Sequence, residues 1–185
     1  ASVLSFVPLN DNCEISQLTL TNGSSEDKKL SVFSYVEWCL WNADDDMKNF
    51  QRNLSTGEVE VQDSTIYHKT EYRERRNHYA IYSVNTKIDG FDTSRDAFLG
   101  AYRGADSPEA VENGKCTNSM ASGWSPIASH QINVDLAAGE TKTFIFVLGY
   151  IENPEDEKWE SYGVINKTRA KEMLAKYQTL SLIHI

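Results

Sequence analysis

Over the first two thirds of this chain, short apolar runs alternate with turn residues at the intervals of an all-β domain. From Leu30 to Trp41, the residues Leu30, Val32, Val36, Trp38 and Leu40 share one face of an extended chain, and Phe33, Tyr35, Cys39 and Trp41 share the other. A strand apolar on both faces is expected to be covered on both. Cys13 and Ile15 stand one register out of phase with Leu18 and Leu20, which predicts a bulge or break near Ser16 before a turn at Thr21-Asn22-Gly23-Ser24. Short strands are expected at Glu58 to Gln62, Ser64 to Lys69 and His78 to Asn85, which are rich in Val, Ile, Tyr and Thr. The clearest hairpin pattern is Gln131 to Leu136, a turn at Ala137-Ala138-Gly139-Glu140, and Thr143 to Gly149. Between Asp89 and Gly123 the apolar periodicity fades among Gly, Asp, Ser and Asn, which predicts a long functional loop or one ordered by its neighbours. After Pro154 comes an acidic connector, and Asn166 can cap a helix that carries Ala170, Met173, Leu174 and Tyr177 at i, i+3, i+4 and i+7.

At 185 residues the chain has room for one good core. Its 18 basic and 27 acidic residues leave a formal charge of −9, which disfavours nucleic acid and anionic membranes as partners. The longest basic cluster, Arg73, Arg75 and Arg76, is interleaved with Glu71 and Glu74 and reads as a solvated charged face. No apolar run approaches the ~20 residues that cross a bilayer, and no basic stretch with an apolar core opens the chain, so a soluble, cytoplasmic protein is expected. Ala1 leads almost at once into the strand-like run Val3, Leu4, Phe6, Val7, like the middle of a domain. Three widely spaced cysteines, Cys13, Cys39 and Cys116, fit reduced, buried thiols better than a disulfide framework or a zinc site. The glycosylation-type triplets at Asn22, Asn53 and Asn166 matter only in a secreted chain.

The densest polar and aromatic constellation runs from Glu37 to Thr56. Trp38 and Trp41 beside amide and guanidinium groups resemble a surface that packs on a sugar, although Trp38 sits on the apolar strand face and is expected in the core. Asp44, Asp45 and Asp46 suggest paired carboxylates, but at a strand-to-loop junction they read as caps or solvated charges. His68, His78, His130 and His184 lack metal-ligand spacing, and no serine stands in a nucleophile elbow, so no catalytic residue, cofactor or metal is expected in this stretch. Asn49, Gln51 and Arg52 form a compact set of donors and acceptors suited to hydroxyls or phosphate oxygens, or else a loop that satisfies its own backbone.

Several long motifs stand in a familiar order: Leu40-Trp41-Asn42 through Asp46, Asn49-Phe50-Gln51-Arg52-Asn53-Leu54-Ser55-Thr56-Gly57-Glu58, Tyr67 through Arg76, Gly90-Phe91-Asp92-Thr93 and Phe98-Leu99-Gly100. Together, from about Phe6 to Thr179, they resemble the amino-terminal domain of cellobiose phosphorylases, which are inverting disaccharide phosphorylases. The resemblance implies a mainly β fold, an antiparallel super-sandwich of the galactose-mutarotase-like kind with a carboxy-terminal linker helix. It implies residues 1–153 as a partial sandwich, 154–179 as the start of a helical linker and 180–185 as a non-native or truncated tail. It also implies phosphorolysis of cellobiose, with inorganic phosphate as co-substrate, to α-glucose 1-phosphate and glucose, the acidic proton donor lying in a catalytic barrel outside this chain. Asn49, Gln51 and Arg52 would then contact the sugar in trans across a homodimer. The competing expectation is a stand-alone carbohydrate-binding β-sandwich; an amphipathic helix with nothing to face favours the enzyme part.

Overall fold

The computed structural model describes residues 1–38, 56–71 and 77–178. Among these, one seven-stranded sheet has the order β1-β2-β11-β7-β6-β5-β9. Its strands are β1 (Ser2–Phe6), β2 (Cys13–Thr21), β5 (Thr56–Gln62), β6 (Thr65–Glu71), β7 (His78–Val84), β9 (Ser122–Trp124) and β11 (Thr141–Glu152). A smaller sheet is centred on β10 (Pro126–Leu136), which pairs with β3 (Lys28–Phe33), β4 (Val36–Glu37) and β8 (Gly90–Ser94). All these pairings are antiparallel, and the two sheets form the expected sandwich. Helices α1 (Arg95–Leu99) and α2 (Glu109–Glu112) lie beside β8, the small pair β12 (Trp159–Ser161) and β13 (Val164–Ile165) follows β11, and α3 (Thr168–Tyr177) ends the described chain.

The large sheet is apolar on both faces because each is covered by something different. Leu20, Phe144, Phe146 and Val84 meet Ile132, Val134 and Leu136 of the small sheet. On the other face Cys13, Ile15, Ile81, Ile145 and Val147 meet Ala170, Met173 and Leu174 of α3. This removes the bulge expected near Ser16: β2 pairs without a shift from Thr21↔Thr141 to Gly149↔Cys13. Ile15 and Leu18 are an odd number of positions apart, so they serve opposite faces of one regular strand. The helix predicted after Asn166 forms, and the Asn166 Oδ1 accepts from the amide of Thr168 at 3.1 Å. Its apolar face is spent on this domain's own sheet, so it does not discriminate an enzyme part from a free-standing module.

Both strands of the expected terminal hairpin exist, but β10 and β11 do not pair with each other. They belong to different sheets, and the turn between them is a corner of the sandwich. Gly139, at φ +76°, allows the tight reversal, in which the Glu140 amide donates to the Ala137 carbonyl at 3.0 Å. Asn22, 6% exposed, ties this corner to the β2–β3 turn: its Nδ2 is shared among the carbonyls of Glu26, Leu136 and Ala137 at 2.8, 3.1 and 3.0 Å. Buried and fully used, Asn22 is no glycan acceptor.

The ribbon from Leu30 is also interrupted. At Ser34 the amide donates to the His130 carbonyl, and the His130 amide donates to Ser34 Oγ, each at 3.0 Å. The hydroxyl replaces a main-chain acceptor and separates β3 from β4. Leu30 is 43% exposed, so the expectation of cover on both faces fails there. Residues 89–123, read as a loop, are ordered by the chain itself. Asp92, fully buried, accepts from the amides and hydroxyls of Thr117 and Ser119. Four donors satisfy the carboxylate and fix residues 117–119 against β8.

Candidate functional site

Asn49, Gln51 and Arg52 lie outside the described residues, as do Cys39, Trp41, Asp44, Asp45, Asp46, Asn53, the cluster Arg73, Arg75 and Arg76, and Leu180 to Ile185. The frame from which the polar segment springs is described. Segment 39–55 departs after Trp38 and rejoins at Thr56, which pairs with Trp124 of β9. The next residue, Gly57, pairs with Glu71, after which segment 72–76 begins. Two segments separated only by the β5–β6 hairpin are thus rooted at adjacent positions on its open end. The alternation of short strands predicted those strands but carried no signal for this junction.

Trp38 fastens that corner between the sheets. Its ring lies nearly parallel to that of His68 in β6, with centroids 5.4 Å apart and 9° between planes. His68 is 2% exposed, and neither its ring nitrogens nor Trp38 Nε1 have a hydrogen-bond partner among the described residues. Burial, helped by the positive charge of Lys158, lowers the His68 pKa to about 3, so the ring is neutral at ordinary pH and acts as an interior aromatic surface. Trp38 is half-buried, with its Nε1 shut off from solvent, so its ring lies partly inside, short of the full core position its place on the strand face suggested. Next to it, Glu37 Oε1 accepts from the Tyr35 hydroxyl at 2.6 Å and from Arg95 Nε at 3.2 Å, which fixes the orientation of the carboxylate.

His130 is a second interior ring. It stacks on Tyr82 with centroids 5.0 Å apart, Ser34 Oγ stands 3.3 Å from its Nδ1, and burial lowers its pKa to about 3. Neither histidine has the poise of a proton shuttle. Among the described residues no group of three His, Cys, Asp or Glu is placed to hold a metal. The thiols of Cys13 and Cys116 are buried and free, and burial pushes their pKa values up to about 11 and about 12. Thiols this far from ionisation are poor nucleophiles.

On the helix side, β5 and β6 hold a charged cluster. Lys167 Nζ donates to Glu60 Oε2 at 2.5 Å, the Ile165 amide donates to Glu60 Oε1 at 2.9 Å, and Lys69 lies 3.3 Å from the same carboxylate. Burial would raise the pKa of Glu60, but the Lys167 hydrogen bond, the Ile165 amide and the two lysine charges together hold it below its ordinary value. This cluster pins β13 and the start of α3 to the sheet. A groove of about 510 Å³ lined by Asp63, Thr65, Asn85, Lys87, Lys171 and Gln178 lies at the far end of the β5–β6 hairpin from the Trp38 corner. The described residues therefore provide a rigid frame for a polar segment, without a proton donor and nucleophile facing one another.

The glycosyl hydrolase 94 supersandwich domain matches residues 1–180. An N,N'-diacetylchitobiose phosphorylase of Vibrio furnissii is 27% identical over 180 residues, covering 96% of this chain and 20% of that protein. One from Vibrio proteolyticus is 30% identical over 145 residues, covering 78% and 18%. A solabiose phosphorylase of Paenibacillus borealis is 28% identical over 157 residues, covering 81% and 20%. The chain spans about a fifth of the length of each of these relatives.

Proposed function

The chain belongs to the glycosyl hydrolase 94 family through its supersandwich domain, and from that premise we propose that it is the sandwich part of a disaccharide phosphorylase. The carrying observation is the family match over residues 1–180 together with three relatives that are all disaccharide phosphorylases. The substrate class is a β-linked disaccharide, with cellobiose the first candidate on the motifs and the relatives' N,N'-diacetylchitobiose and solabiose the competitors. Inorganic phosphate attacks the anomeric carbon while an acid elsewhere in the polypeptide protonates the leaving sugar.

Within that reaction the sandwich supplies position. The corner formed by Trp38, His68, Gly57 and Glu71 fixes both ends of segment 39–55. Asn49, Gln51 and Arg52 then reach the leaving sugar of the partner subunit in a homodimer, holding a neutral ligand by amide and guanidinium donors. A pocket closed by a second subunit also excludes the water that would compete with phosphate. Free, buried Cys13 and Cys116 support a reducing, cytoplasmic location.

The test uses the full-length protein with inorganic phosphate and each of the three disaccharides, reading sugar 1-phosphate release. Phosphate-independent hydrolysis, or no turnover of any of them, refutes the reading. Arg52→Ala lowers turnover or leaving-sugar affinity without altering the fold. In mixed dimers, an Arg52→Ala subunit paired with one lacking its catalytic acid regains activity if the contact is made in trans.

A further inference from the structure

The sequence contains two Asn-Gly pairs, Asn22-Gly23 and Asn113-Gly114, and the structure gives them opposite chemical fates. An Asn-Gly pair is the sequence most prone to spontaneous deamidation, because glycine leaves its own backbone nitrogen unhindered. We propose that Asn113 is a site of spontaneous deamidation in the folded protein and that Asn22 is protected. In the reaction the Gly114 nitrogen attacks Cγ of Asn113, the side-chain nitrogen leaves as ammonia with the displaced proton, and a five-membered succinimide forms. Water then opens either carbonyl of the ring, giving aspartate or isoaspartate; no other reactant is needed.

Asn22 is held against this. Its Nδ2 is committed to the carbonyls of Glu26, Leu136 and Ala137, and its Oδ1 accepts from the amide and hydroxyl of Ser24 at 3.1 and 2.7 Å. Cγ cannot turn toward the Gly23 nitrogen while these bonds hold. Asn113 is exposed, and among the described residues its side chain makes no hydrogen bond. It closes α2, a helix of only four residues, where Gly114 at φ +65° donates to the Val111 carbonyl and the Lys115 amide donates to that of Ala110 at 2.9 Å. Two main-chain hydrogen bonds at the exposed end of a four-residue helix hold this turn, so it opens locally at low cost. Fraying frees the Gly114 nitrogen.

The product reaches the interior. The Gly114 carbonyl accepts from Gln131 Nε2 at 3.1 Å, and Gln131 Oε1 in turn accepts from the amide of buried Cys116 at 2.8 Å. Isoaspartate inserts an extra carbon into the backbone at position 113, which displaces Gly114 and loosens the seat of Cys116.

The experiment incubates the full-length native protein at mildly alkaline pH and maps its peptides by mass spectrometry. The expected result is amide-to-acid conversion at Asn113, with Asn22 slower by on the order of a hundredfold, the factor by which its five hydrogen bonds, each at the low end of its net strength, deplete an open state. Aged protein also labels faster at Cys116 with a thiol reagent, and Asn113→Ser abolishes both changes. Conversion at Asn22 as fast as at Asn113 overturns the proposal. So does an intact Asn113 over a period in which denatured protein converts at both sites.

Discussion

The side-chain amide of Asn22 donates to the main-chain carbonyl of Leu136 at 3.1 Å, joining two turns separated by 114 positions. The same amide group reaches Glu26 and Ala137, so one short side chain sets where β10 leaves one sheet and β11 enters the other. Asn22→Ala leaves buried carbonyls without donors and is expected to cost about 2–4 kcal/mol, from a penalty of roughly 1–3 kcal/mol for each unsatisfied group. Chemical denaturation of the variant measures this; a loss below about 0.5 kcal/mol, the level of an ordinary surface change, means the corner does not depend on Asn22.

Glu60 and Lys167 form the charged clamp under α3, with the lysine side chain 7% and the glutamate side chain 18% exposed. Removing Glu60 strands Lys167, so Glu60→Ala is expected to destabilise by about 3 kcal/mol, whereas Lys167→Met is expected to cost less because Lys69 still stands 3.3 Å from the carboxylate. Replacing both together is expected to cost less than the sum, since neither charge is then left alone. A double-mutant cycle by thermal melting reads the coupling, and strict additivity contradicts the clamp.

His68 and His130 make the fold sensitive to acid. Burial lowers both pKa values from 6.5 to about 3, with the charge of Lys158 adding to the effect at His68. Above pH 6.5 both rings are neutral folded or unfolded, and the full stability is present. As pH falls from 6.5 toward 3, the unfolded chain takes up protons that the folded chain refuses, removing about 1.4 kcal/mol per pH unit for each histidine. His68→Phe is expected to keep the stack on Trp38, to be neutral or slightly stabilising at pH 7, and to flatten the acid limb. An unchanged limb measured by urea titration between pH 4 and 7 contradicts the assignment.

Cys13 and Cys116 are expected to resist alkylation in the freshly prepared native protein at pH 8, because burial holds their pKa values at about 11 and about 12. Both become reactive together on denaturation. Prompt labelling of either in the native state shows that its surroundings open more readily than the packing suggests.

Much of this architecture is legible from alternation alone. The strands expected at 58–62, 64–69, 78–85, 131–136 and 143–149 each overlap an observed strand, β10 and β11 running longer than expected, and the helix carrying Ala170, Met173 and Leu174 forms. What alternation does not encode is which strand pairs with which. The sequence Leu136-Ala137-Ala138-Gly139-Glu140 reverses the chain equally well in a hairpin and at a corner between sheets, and the buried amide of Asn22, far off in sequence, goes with the corner. The same blindness produced the bulge expected at Ser16: a phase change signals a bulge only when one face is solvated, and here both are covered. The order within residues 89–123 rests on Asp92, a single carboxylate whose four donors are polar and aperiodic. The polar segment with Asn49, Gln51 and Arg52 stands out in the sequence as a compact set of donors and acceptors, its role is what the family motifs imply, and the described frame shows only where the segment is rooted.

The placement of β2 between β1 and β11 sets a timetable for synthesis. Thr21 and Thr141, hydrogen-bonded through their side chains at 2.9 Å, are 120 residues apart, so at translation rates of ~5–20 residues per second the first strand pair waits roughly 6–24 s for its neighbour. Two strands by themselves are marginal in water, and within this chain Ile15, Leu18 and Leu20 gain their β11 neighbours only at the end of that delay. Within this chain the large sheet is therefore completed across β2 only once β11 has been made, late in synthesis.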